Sequence, residues 1–196
     1  IFPLVKTSVN TNGSRLKDLE GIDVLDNIAL SRHHYDDEIN NQLFGINTAD
    51  TDILDSFKDK HKLHLSCNLI KGYVDNEEEI RKYLEYVSKL GIYDIGLVSL
   101  MKINKYCEEH FVDFNKLDLE RINNLKRTRW YCNSLDKMSC SCKCENYLYM
   151  AENYNLLSVY HRQAIKLKGI EEISNYLVLE DKKIMQGFNG AVLNKL

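Results

Sequence analysis

Four cysteines, Cys132, Cys140, Cys142 and Cys144, stand in a C-x7-C-x-C-x-C array. In an extended chain alternate side chains share a face, so the last three thiols project together at spacings of about 6.6–7 Å along the strand. Four thiolates suit a [4Fe–4S] cluster or one tetrahedral zinc, because sulfur-only ligation admits both. The plainer alternative is a set of free cysteines near a strand end, packed as small apolar residues.

Two other groups have the residue types of a metal site. His33-His34 is followed by Asp36, Asp37 and Glu38, but adjacent histidines on an extended loop point apart and the acids suit a helix start. Cys107-Glu108-Glu109-His110 has a zinc-like gap with no second pair at the expected distance, so it reads as an ordinary helical or loop segment. Tyr147, Tyr149, Tyr154 and Tyr160 lie near the cysteine array and read as a packing face with polar tips in water.

The chain that must position these groups has 196 residues and 44% hydrophobic content, enough for one sizeable core with a small appendage. Its 26 basic and 29 acidic residues are well mixed and leave a formal charge of -3, which gives no electrostatic reason to expect nucleic-acid or membrane-surface binding. No apolar stretch is long enough to cross a bilayer, and the first residues lack the regions of a signal peptide. A cytoplasmic location is the expectation, with the six cysteines reduced and available to metal.

Short apolar runs alternate with polar, periodic stretches over the first two thirds, the signature of βα units around a mainly parallel sheet. The expected strands are Leu4–Asn10, Asn27–Ser31, Lys62–Ile70 and Tyr93–Met101. The clearest helix lies before Gly91, capped by Asp75 or Asn76, with Ile80, Leu84 and Val87 on one face. Further helices are expected over Asp36–Phe44, Thr51–Lys60 and Asp118–Lys126. Beyond Arg127 cysteines and tyrosines replace this pattern, and Tyr147–Ala151, Leu157–Ala164 and Asn175–Leu179 read as strands. The expected division is residues 1–127 and 128–196.

In parallel barrels the loops after the strands converge on one face, so functional groups belong at the strands' C-terminal ends. Those ends carry Asn10, Thr11 and Asn12; Ser31, Arg32, His33 and His34; Asn68 and Lys71; and Leu100, Met101 and Lys102. Taken alone, Thr11-Asn12-Gly13 is also a good turn, with Gly13 supplying positive φ, and Ser31–Tyr35 is equally a solvated loop before a helix capped by Asp36 or Asp37.

In this order, Thr-Asn-Gly after one strand, Leu-Ser ending the next, Asn near the end of a third with Lys-Gly following, and then Gly-Leu-Val-Ser-Leu-Met, the chain resembles the middle of a radical S-adenosylmethionine (radical SAM) enzyme barrel from about Val5 to Lys102. The resemblance implies an α/β fold: a partial (β/α) TIM-like barrel holding that family's strands three to six, with a C-terminal Cys-rich β extension. It assigns Thr11 and Asn12 to the methionine end of the cofactor, Ser31 and Arg32 to ribose or carboxylate, Asn68 to the ribose, and Leu100 and Met101 to the adenine. The family's C-x3-C-x2-C cluster motif occurs nowhere in the chain. The expected function is therefore that of the later portion of such an enzyme, positioning S-adenosylmethionine and substrate but inactive alone, with an auxiliary [4Fe–4S] cluster on the cysteine array. The alternative is a non-catalytic domain with a structural zinc or a metal-free array. Expected partners are the small-molecule cofactor and either the missing barrel segment or a second copy across the open sheet edge.

Overall fold

The computed structural model describes residues 7–18, 22–102, 104–122, 125–130, 145–151, 157–163, 177–180, 183–186 and 192–195. Its first four strands are β1 (Ser8–Thr11), β2 (Asn27–Ser31), β3 (Leu63–Leu69) and β4 (Asp94–Ser99), which pair in parallel in chain order. Next come β5 (Lys126–Trp130), β6 (Glu145–Ala151) and β7 (Leu157–Gln163). β7 lies parallel to β4, and β6 and β5 follow antiparallel, giving the order β1-β2-β3-β4-β7-β6-β5. A separate antiparallel sheet joins β8 (Leu177–Glu180), β9 (Lys183–Gln186) and β10 (Val192–Lys195). The chain has an α/β fold, and the expected boundary at 127/128 falls inside β5.

Among the described residues four α-helices flank the parallel strands, and their starts follow from capping. In α1 (Asp37–Phe44) the Asp36 carboxylate accepts the Ile39 N–H at 3.0 Å, and Gly45 closes the helix at φ 68°. The Asn76 side-chain oxygen accepts from Glu78 and Glu79 N–H at the start of α3 (Glu77–Lys89). Ile80, Tyr83, Leu84 and Val87 of α3 are buried, the spacing of one helical face. They pack on Leu63, Leu65, Cys67 and Leu69 of β3, with Ile95 and Leu97 of β4, in one continuous core.

α2 (Thr51–Ser56) stops before the expected Lys60 because Phe57 turns extended and the Lys60 ammonium donates to the Asp55 carbonyl at 2.8 Å, satisfying a free end of the helix. α4 (Lys105–Glu109) contains Cys107 and stays an ordinary short helix.

The helix expected over Asp118–Lys126 does not form. A 3₁₀ turn occupies Leu119–Arg121, Asp118 makes no side-chain cap, and β5 begins at Lys126. Leu119, Ile122 and Leu125 are all buried, and they recur strictly every three residues. That repeat suits successive tight turns, whereas an α-helical face needs spacings of three and four.

Candidate functional site

Alternation along the strands gives the parallel sheet two unlike faces. Val9, Ile28, Leu30, Leu65, Cys67, Leu69, Ile95 and Leu97 face the helical layer and join the core. The residues between them are mostly polar or small: Ser8 and Asn10, then Asn27, Ala29 and Ser31, then His64, Ser66 and Asn68, then Asp94, Gly96 and Val98. Register aligns them into rows, with Asn10 beside Ala29 and His64 beside Asp94, then Ser31 beside Ser66 and Ser66 beside Gly96, and Asn68 beside Val98. Parallel sheets are normally apolar on both sides. Here one side carries hydroxyl and amide groups: Ser31 ends β2, Ser66 lies beside it in the middle of β3, and Asn68 comes near the C-terminal end of β3.

The loop after β2 is built around two buried polar side chains. Asn40, wholly buried on α1, accepts the N–H groups of His33 at 2.8 Å and His34 at 3.2 Å and donates to Thr48 Oγ1 at 2.8 Å. Arg32, 1% exposed, turns to the helical side. Its Nη1 donates to the Ala49 carbonyl at 2.9 Å, its Nη2 to the Tyr35 carbonyl and to Asp37 Oδ1, and its guanidinium lies over the Tyr86 ring. Tyr83 donates to the Arg32 carbonyl at 2.9 Å. Arg32 thus holds the loop and does not join the polar face, because its fork is already engaged by backbone and carboxylate.

His33 and His34 diverge, as adjacent residues on an extended loop must. The His33 ring stacks on Phe44 with centroids 4.7 Å apart, while the His34 ring lies tilted against Tyr35 and accepts the Asp36 N–H at Nδ1. Burial drives the His33 pKa down to about 4, against a smaller opposing effect of the Ser66 and Arg32 carbonyls. The His34 pKa is also lowered by burial, although Asp36 and Glu79 act the other way. Among the described residues no group of three or more His, Cys, Asp or Glu side chains is arranged to hold a metal.

Thr11 and Asn12 fold their own turn: Thr11 Oγ1 accepts from Gly13 N–H at 3.0 Å and Asn12 Oδ1 from Ser14 N–H at 3.1 Å. Gly13 has φ 78°, and a Cβ there would meet Ala49 Cβ at 2.6 Å. Leu100 is half-buried just past β4 and Met101 is 46% exposed. Lys102 lies over the Phe111 ring at 4.1 Å. Ser31, Asn68, Leu100 and Met101 therefore stand at the same end of adjacent strands. Cys132, Cys140, Cys142 and Cys144 lie outside the described residues. A cleft of about 560 Å³ opens elsewhere, on the helical side, between α2 and residues flanking the starts of β2 and β3.

Asn27, His64 and Ser66 belong to the polar face without having been singled out from sequence. Their signal was available: N-x-A-x-S in β2 and H-x-S-x-N in β3 place polar or small residues at every second position.

The fold and this face define an α/β chain with a mainly parallel sheet, polar on one side. The chain matches no known family model, and no curated protein matches it. Among the described residues no helix is long and apolar enough to cross a membrane.

Proposed function

We propose that the polar face of the parallel sheet binds a small polar molecule, and that the chain is the later part of a radical SAM enzyme in which this molecule is S-adenosylmethionine. The observation that carries the reading is Ser31 at the C-terminal end of β2, beside Ser66 of the neighbouring strand, and Asn68 near the C-terminal end of that strand, on a face left polar while the opposite face is packed. Ligands in parallel α/β sheets bind at such strand ends. The sequence order of the turns and strand ends supports the family, with these strands forming part of a TIM-like barrel.

The groups present fit the ligand. Ser31, Ser66 and Asn68 offer the donors and acceptors that ribose hydroxyls and a carboxylate require. Leu100 and Met101, one strand further on, offer apolar contact for an adenine. The Thr11-Asn12-Gly13 turn lends the methionine end its backbone, since both side-chain oxygens already accept bonds within the turn. Arg32 has no part in binding and fixes the loop that carries Ser31 and His33. S-adenosylmethionine held there would supply radical chemistry on one-electron reduction by an iron–sulfur cluster, with methionine as the leaving group; the residues here would orient it and limit water on that face. The four thiols of Cys132, Cys140, Cys142 and Cys144 are a donor set suited to an auxiliary [4Fe–4S] cluster or to zinc.

Calorimetric titration with S-adenosylmethionine tests the ligand. Saturable binding weakened about tenfold by Ser31→Ala or Asn68→Ala is expected; absence of binding by the folded chain would sink the assignment. Metal and sulfide analysis after oxygen-free reconstitution tests the array separately. Iron and sulfide lost together on replacing Cys140, Cys142 and Cys144 support the cluster, and zinc alone makes the array structural. With reductant and S-adenosylmethionine, the chain alone is expected to yield no 5′-deoxyadenosine.

A further inference from the structure

The end of the β2–β3 ladder is closed by a side chain. Arg32 N–H donates to the Ser66 carbonyl at 2.9 Å, the last backbone bond between the two segments. The next free donor on β3, the Asn68 N–H, meets the His33 ring instead, donating to Nδ1 at 3.1 Å. The other ring nitrogen, Nε2, lies 3.3 Å from the Asn68 side-chain amide, at its Nδ2 position. One imidazole therefore touches both the backbone and the side chain of Asn68.

The protons allow one consistent arrangement of these two contacts. A backbone N–H only donates, so His33 Nδ1 is an acceptor and carries no proton. A neutral imidazole then has its proton on Nε2, and the Asn68 side chain 3.3 Å away can meet that N–H only through its oxygen. The amide turns its oxygen to the ring and its NH₂ away, toward the polar face that Asn68 shares with Ser66. The two ends of a carboxamide are nearly alike in shape, so the hydrogen-bond network decides which faces where. Burial keeps the ring neutral at ordinary pH.

We infer that His33 is a positioning residue that fixes the Asn68 carboxamide with its NH₂ toward the polar face, so that the group recognised there is a hydrogen-bond acceptor, a carboxylate or hydroxyl oxygen. The identity of that ligand rests on the function proposed above; the orientation of Asn68 does not. Stacking on Phe44 and the Asn40 bond to the His33 N–H hold the ring in place from the other side.

Histidine-selective ¹⁵N NMR on the intact chain, with the His33 signal assigned by its loss in His33→Gln, reads the tautomer directly. A neutral ring protonated at Nε2 near pH 7 is expected; a ring protonated at Nδ1, or a charged ring, overturns the orientation. Titration with S-adenosylmethionine reads the consequence. Asn68→Asp keeps an acceptor for His33 but offers no donor to the ligand, and is expected to weaken binding about tenfold or more. His33→Ala is expected to weaken it similarly, and His33→Gln, whose amide nitrogen reaches the place of Nε2, to recover most of the loss. Unchanged affinity in a folded His33→Ala or Asn68→Asp overturns the role. Should the unmodified chain bind no S-adenosylmethionine, the ligand assignment fails, while the tautomer still decides the His33–Asn68 arrangement.

Discussion

Arg32 Nη2 lies 2.6 Å from Asp37 Oδ1, joining an arginine withdrawn from water to a carboxylate whose side chain is still 37% exposed. The same carboxylate accepts from Thr51 N–H and Oγ1, so one aspartate ties the β2 loop to the starts of α1 and α2. Removing it leaves a buried guanidinium without its counter-charge. Asp37→Ala is expected to cost about 3 kcal/mol in denaturant unfolding. The double variant Arg32→Met, Asp37→Ala should cost less than the sum of the single changes; simple additivity would rule out the coupling.

The same pair sets an acid limit. Burial alone would raise the Asp37 pKa, but the Arg32 guanidinium and Thr51 hold it below the ordinary aspartate value. A carboxyl depressed in the folded state adds stability above its unfolded pKa of about 3.9 and loses it as pH falls through the folded value. His33 acts at higher pH. With a folded pKa of about 4 against about 6.5 unfolded, the unfolded chain binds the extra proton between these values, so stability rises with pH across that window and is flat above it. Unfolding free energy measured from pH 4 to 8 should show this slope, reduced in His33→Gln. An identical slope in the variant would exclude His33 as its source.

Asn40 is the second anchor of that loop. Asn40→Ala leaves the N–H groups of His33 and His34 and the Thr48 hydroxyl without this partner, and a destabilisation of about 2–4 kcal/mol is expected. Asn40→Asp retains the two acceptor bonds but loses the donor to Thr48, and should lie between the two. Thermal melts of the three proteins check the order.

Much of this architecture was legible in the sequence. Asn27–Ser31 is a strand at those residues, Lys62–Ile70 and Tyr93–Met101 each contain one, and Asn76 and Asp36 cap helices as their side chains suggest. These are local signals: a capping oxygen, a run of β-branched and aliphatic residues, a glycine stop. The surroundings of Arg32 were not legible because its neighbours in space, Ala49, Asp37 and Tyr86, come from three separate segments. Its charge suggested a ligand contact, and only tertiary packing reveals the carbonyls that engage it. The segment after Asp118 was misread because three apolar residues at intervals of three satisfy a loose helical pattern while following a tighter path.

Gly13 offers a test of close packing. Alanine there combines φ 78° with a Cβ 2.6 Å from Ala49 Cβ and 2.8 Å from Leu30 Cδ1, so both backbone and core must shift. Gly13→Ala is expected to destabilise by about 2–4 kcal/mol. Equal stability by urea titration would mean that the turn adopts another conformation. Gly72→Ala, at φ 91° but with nothing within 4 Å of its Cβ, separates the backbone cost from the steric one.

The division of the parallel strands into a packed face and a polar face has a consequence for how freely the protein can change. Leu65, Cys67 and Leu69 carry the folding of β3, while Ser66 and Asn68, interleaved with them, carry almost none of its core. Exchanges confined to the exposed positions of that side, Ser8, Asn10 and Asn27, therefore cost little stability, and the chemistry displayed there can be rewritten one residue at a time on an unaltered framework. A slip of one residue in strand register would exchange the two sets completely, so the apolar side also acts as the ruler that keeps the recognition groups in line.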